Sequence, residues 1–101
     1  MADTIDELSV AYSEGGEEIV RELDKEVLTR GAWTTILFKY QELDRGKDEF
    51  GPVKFTIRRY QKRGGSFMAK SKFNISNVEQ ARKVCEVLEG WIAEEDKAKK
   101  T

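Results

Sequence analysis

Apolar and polar positions alternate most regularly in the second half of the chain. Val53, Phe55 and Ile57 fall on one side of an extended segment, and Lys54, Thr56, Arg58 and Tyr60 on the other, which predicts a strand over 53–61. Phe67 to Ile75 repeats the pattern, with Phe67, Ala69, Ser71, Phe73 and Ile75 opposed to Met68, Lys70, Lys72 and Asn74. Gly64-Gly65 between them supplies the positive-φ residues of a tight hairpin, and the apolar side of the pair is expected to meet the core. Trp33 to Leu43 concentrates β-branched and aromatic residues and predicts a third strand. Ile19 to Thr29 reads as a fourth, although Ile19, Leu23 and Val27 recur every four residues and fit a helix as well. The turn-forming stretch Asp44 to Pro52 is expected as a loop between adjacent strands.

At Ser76 the apolar period lengthens from two to about 3.6. Ser76 with Glu79 has the form of a capping box, and Val78, Ala81, Val84, Cys85, Leu88, Trp91 and Ile92 make one apolar helical stripe. The order is β-β-β-β-α, an α+β chain. Residues 1–18 are expected as a flexible acidic arm that holds at most a short helix at Thr4 to Tyr12. Residues 19–93 form the ordered domain and 94–101 a charged, solvated tail.

Length and charge then refine the picture. With 101 residues the chain makes one small domain, and 18 bases against 19 acids give a formal charge of −1. That total hides a strong division. Residues 1–52 hold 13 acids and 6 bases for −7, residues 53–75 hold 7 bases and no acid for +7, and residues 76–101 hold 6 acids and 5 bases for −1. The seven bases are Lys54, Arg58, Arg59, Lys62, Arg63, Lys70 and Lys72.

Histidine is absent and Cys85 is the only cysteine, so the usual proton shuttle and every Cys/His metal cluster are missing. No metal or cofactor is expected. Cys85 lies within the helical stripe, where an inert buried thiol is the ordinary reading, and a reduced compartment follows: cytoplasm, or nucleus in a eukaryote. The acidic residues 1–18 are unlike a targeting leader, and no stretch reaches the roughly 20 apolar residues of a membrane span. The Gly-Gly pair lacks the strand-loop-helix context of a phosphate loop. Carboxylate pairs such as Glu17-Glu18 and Glu94-Glu95 fall in expected loops and tails, where water keeps them ordinary. Neither an enzyme nor a small-molecule substrate is expected.

The hairpin carries the chemistry. Alternation projects Lys54, Arg58, Lys62, Lys70 and Lys72 from one face with Tyr60 among them, and Arg63 stands at the turn. Cations that meet phosphates, beside an aromatic that stacks on unpaired bases, suit single-stranded nucleic acid. The plainer reading is the wet face of an antiparallel sheet. At this point Phe50-Gly51-Pro52-Val53-Lys54-Phe55-Thr56-Ile57-Arg58-Arg59-Tyr60, then Lys70-Ser71-Lys72, then Asn77-Val78-Glu79-Gln80, resembles the single-stranded-DNA-binding domain of the positive cofactor four (transcriptional coactivator) family and its bacterial relatives. The resemblance spans about residues 33–92. It implies a four-stranded curved antiparallel sheet followed by one long helix, dimerisation chiefly through that helix, and melted DNA bound by the sheet. Phe50 matches a stacking aromatic, Lys54 a phosphate-binding lysine, and Arg58 and Tyr60 the Ile-Arg-x-Tyr strand. Gln61 stands where the eukaryotic members have an aromatic, and Phe73 where a glycine is usual.

Dimerisation has a second ground, since an ordered part of about 75–80 residues with one sheet and one helix is marginal alone. Leu88, Trp91 and Ile92 are the expected interface. The expected partners are single-stranded DNA, with RNA open, and a second copy of the chain. The alternative is a protein-interaction module whose basic hairpin docks an acidic partner or the chain's own arm.

Overall fold

The computed structural model describes residues 3–99. It is an α+β fold, a curled antiparallel sheet with one C-terminal helix. The strands are β1 (Tyr12–Glu14), β2 (Glu17–Thr29), β3 (Trp33–Asp44), β4 (Glu49–Phe50), β5 (Lys54–Arg63) and β6 (Ser66–Ile75), and the helix is α1 (Val78–Lys99). The order across the sheet is β1-β2-β3-β5-β6, with β4 paired to the end of β3.

Two strands exceed the expected four, and each has a local cause. Gly15 and Gly16 take φ of +58° and +83°, almost the geometry of Gly64 and Gly65 at +57° and +84°, so the chain before β2 folds back as a hairpin. In the expected loop, Gly46 N–H donates to Asp44 Oδ1 and Asp48 takes a positive φ, which returns Glu49 and Phe50 to pair with Asp44 and Leu43. The ambiguous period of β2 also has an explanation. Its ladder to β3 shifts register between Glu22 and Asp24 and again between Val27 and Thr29, so alternation restarts twice.

The core lies on the opposite face of β5 from the one the alternation suggested. Ile36, Phe38 and Tyr40 of β3 are buried with Tyr60 and Phe67, and Tyr60 is only 5% exposed. Register places Tyr60 opposite Thr34, Arg58 opposite Ile36, Thr56 opposite Phe38 and Lys54 opposite Tyr40. The cationic side of β5 is therefore also the core side, and Val53, Phe55 and Ile57 on the other face stay half-buried. What covers the core is the segment expected as a flexible arm. A short 3₁₀ turn at Ile5–Glu7, closed by Thr4 and Glu7, leads into Leu8 and Val10, both buried against the sheet. The alternation of β5 alone does not show that an acidic segment some fifty residues earlier supplies the covering Leu and Val.

Lys25 fastens this segment. Its ammonium donates to the carbonyls of Ile5 (2.7 Å), Asp6 (3.3 Å) and Leu8 (2.6 Å) and lies 6.0 Å from the Phe38 ring centre. Glu22 adds a carboxylate that accepts from the Ser9 hydroxyl at 2.7 Å and from the Val10 amide at 3.3 Å. Replacing Lys25 by Met keeps the apolar stem but leaves three carbonyls unpaired, and should cost about 2 kcal/mol of stability. Urea unfolding reads that loss directly, and an unchanged midpoint would mean that the ammonium contributes nothing to the clasp.

The helix differs from expectation at both ends. Asn77, rather than Ser76, caps it: the Gln80 amide donates to Asn77 Oδ1 and the Gln80 side chain accepts from the Ser76 amide, both at 2.7 Å. It continues through the expected charged tail to Lys99, and Lys100 and Thr101 lie outside the described residues. None of its side chains is buried, because α1 meets the sheet chiefly at β6. Cys85, expected to be buried, is exposed for the same reason.

Candidate nucleic-acid interface

The ladder between β5 and β6 places the expected site residues. Arg58 is opposite Lys72, Lys62 opposite Phe67 and Arg63 opposite Ser66. Between Arg59 and Tyr60 the register shifts, so Ser71 and Ala69 are partnered and Lys70 between them is not. This bulge brings Arg58, Ala69, Lys70, Ser71 and Lys72 around one shallow pocket of about 200 Å³ that no carboxylate lines. Among the described residues, Arg58, Lys70 and Lys72 make no ion pair. Arg58, Lys70 and Lys72 are thus one group of cations open to an anion.

The remaining cations are separated from that group. Lys54 is held by Glu42 at 2.9 Å, which neutralises that end of the strip. Lys62 reaches over the Phe67 ring at 5.4 Å and shares a pocket with Asp3, Asp6 and Arg30, where Asp3 also accepts from the Ser66 hydroxyl. Arg63 is exposed beside the turn.

The aromatics are placed differently from the expectation. Tyr60 lies under the amino-terminal segment, and Phe50, on β4, is covered by the Arg21 guanidinium at 3.8 Å from its ring centre. Neither presents a free ring to a base. At the start of β3, on the face of the sheet opposite Arg58 and Tyr60, Arg59 stacks 4.3 Å over the half-exposed Trp33. Trp33 pairs with Gln61, two residues from Arg59 on the same side of β5, a register that the residues alone do not show.

Buried phenols and the Lys54 pair give this face a pH signature. Burial lifts the Tyr40 and Tyr60 hydroxyls above their ordinary 10.0, with Glu42 adding to the effect on Tyr40. The hydrogen bond that Lys54 donates to the Glu42 carboxylate, and the charge of that carboxylate, hold the Lys54 ammonium above 10.5. All three groups keep their protons more tightly folded than unfolded. Their contribution to stability is complete below about pH 10 and is lost as pH rises through the raised values. A melting series at increasing alkaline pH should show this decline, and Tyr60→Phe should flatten it; an identical slope in the variant would remove Tyr60 as a cause.

The far face and the helix form the other exposed feature. Phe73 is 55% exposed on β6, Phe55, Ile57 and Leu37 are half-buried beside it, and Leu88, Trp91 and Ile92 of α1 are all exposed, Trp91 at 62%. Val84, Val87, Leu88 and Trp91 line a shallow apolar groove with Lys83. Among the described residues no helix is long and apolar enough to cross a membrane, and no group of acids and cysteine is arranged to hold a metal ion. Comparison with family models, with curated proteins and with solved structures finds no match for the chain.

Proposed function

We propose that the protein is a non-catalytic, homodimeric single-stranded-DNA-binding protein that serves transcription or DNA maintenance in the cytoplasm or nucleus. One observation carries the reading. Seven bases and no acid lie between residues 53 and 75, and three of them, Arg58, Lys70 and Lys72, gather without carboxylate partners at one point of the sheet. Resemblance of the Ile57-Arg58-Arg59-Tyr60 strand to the positive cofactor four family supports the same conclusion. With Tyr60 and Phe50 covered, and the Trp33–Arg59 stack on the opposite face of the sheet from Arg58, phosphate contacts lead.

The dimer is supported by area. The chain exposes 7408 Å², where a compact monomer of 11.6 kDa exposes about 5,800 Å². The excess of roughly 1,600 Å² per chain is what a large two-fold interface would remove from water. The apolar stripe of α1 and the Phe55, Ile57 and Phe73 face are the surfaces it would cover.

A second reading, a basic hairpin docked on an acidic protein segment, is favoured by the position of Asp3 and Asp6 beside Lys62. Binding of labelled oligothymidylate and of a duplex of equal length separates the two. The DNA reading expects tighter binding to the single strand; no binding at low salt, or a preference for duplex, would refute it.

A further inference from the structure

We infer that the β5–β6 bulge is a built subsite for one phosphate group, a deepening that rests on the proposed nucleic-acid reading but has its own test. Three features set this place apart from a merely wet basic face. First, Lys70 is the extra residue of the bulge: regular pairing would have set it in the ladder, whereas the shift between Arg59 and Tyr60 leaves it unpartnered beside Lys72. Bulges of this kind redirect side chains and recur beside binding sites. Second, the pocket of about 200 Å³ that results is lined by Arg58, Lys70 and Lys72 with Ser71 and Ala69, and no carboxylate enters it. Lys54, Arg21 and Arg45, by contrast, are each held by a carboxylate, of Glu42, Glu18 and Glu14.

Third, Arg58 carries an unmet demand. Its Nε is buried and has no hydrogen-bond partner among the described residues. A buried donor is normally paired, and the residue that carries this unpaired one also lines the cationic pocket. A guanidinium presents a fork that fits two oxygens of a phosphate, and two ammonium groups alongside supply the remaining charge. A carboxylate would fill one fork and leave the lysines uncompensated; a tetrahedral phosphate presents oxygens to all three. The phosphate is either a backbone diester of the strand or a monoester at its end.

Arginine Nε–H groups are visible one by one in nitrogen–proton correlation spectra, so the wild-type chain tests the subsite directly. On titration with inorganic phosphate at constant ionic strength, the Arg58 Nε–H resonance should shift and saturate, together with the amides of Lys70 to Lys72, while Arg63 and Arg45 move little. Movement of Arg58 no greater than that of Arg63 would overturn the subsite. Lys70→Ala should weaken phosphate binding by roughly tenfold, the equivalent of one charge-assisted contact; unchanged affinity in the folded variant would also overturn it. Oligothymidylates with and without a 5′-phosphate identify the source: equal shifts assign a backbone diester, and a larger shift with the 5′-phosphate assigns the terminal group. Phosphate binding without any binding of oligothymidylate would leave the subsite and sink the DNA reading. Oligothymidylate binding that leaves Arg58 Nε–H unmoved would do the reverse.

Discussion

Changing Arg58, Lys70 and Lys72 together to glutamine should lower affinity for single-stranded DNA by roughly a hundred- to a thousandfold, at about 1–1.5 kcal/mol for each exposed phosphate contact. None of the three has an ion-pair partner to lose among the described residues, and removing three like charges around one pocket relieves repulsion. The Lys70 and Lys72 changes alone should therefore hold or raise the melting temperature while binding falls, whereas the Arg58 change, at a guanidinium part-buried beside Tyr60, should lower it. Lys39→Gln is the matched control, since Lys39 pairs with Phe55 and so points from the other face. Fluorescence anisotropy with a labelled oligothymidylate makes the comparison. Equal losses in the triple variant and the control would reduce the interaction to net charge, and no loss in the triple variant would remove this face from the site.

The second large effect concerns assembly. Trp91 and Ile92 are 62% and 55% exposed on a helix with no buried side chain, an unfavourable state for a lone chain in water. If the helix stripe is the centre of a two-fold interface, each buried Trp is worth about 2 kcal/mol or more, and the symmetry counts it twice. Trp91→Glu with Ile92→Glu should then raise the dimer dissociation constant by about a thousandfold. Sedimentation equilibrium should find the native chain dimeric and the double variant monomeric at the same concentration. The native melting temperature should also climb with protein concentration, and that of the variant should not. A native chain that sediments as a monomer would leave the apolar helix unexplained and end this account of it.

How legible the fold was depends on the element. The extended segments behind β3, β5 and β6, the Gly64-Gly65 turn and the helix all carry strong local signals, and each stands where the residues placed it, apart from one residue at the cap and the longer carboxyl end. The side of the sheet that holds the core was not legible. Strand alternation separates two faces of β5 without saying which is covered, and Phe55 and Ile57 are the more apolar set. What decides is Leu8 and Val10, packed from a distant acidic segment whose isolated apolar residues have no periodic face. Of the candidate site, the charge division was visible by counting, whereas regular pairing from the Gly64-Gly65 turn would set Arg58 opposite Ser71, and only the bulge brings it opposite Lys72. The bulge that frees Lys70 was not visible, because a one-residue slip in pairing leaves no mark on either strand alone. Burial of Tyr60 follows from the same hidden cover.

The salt dependence of single-strand binding tests the central claim most directly. A strand held by Arg58, Lys70, Lys72 and neighbouring cations through at least four phosphates should show log affinity falling against log salt concentration with a slope of about −3 or steeper. A strand that does not bind at low salt, or one whose affinity is flat across the titration, would contradict the assignment of this face to nucleic acid.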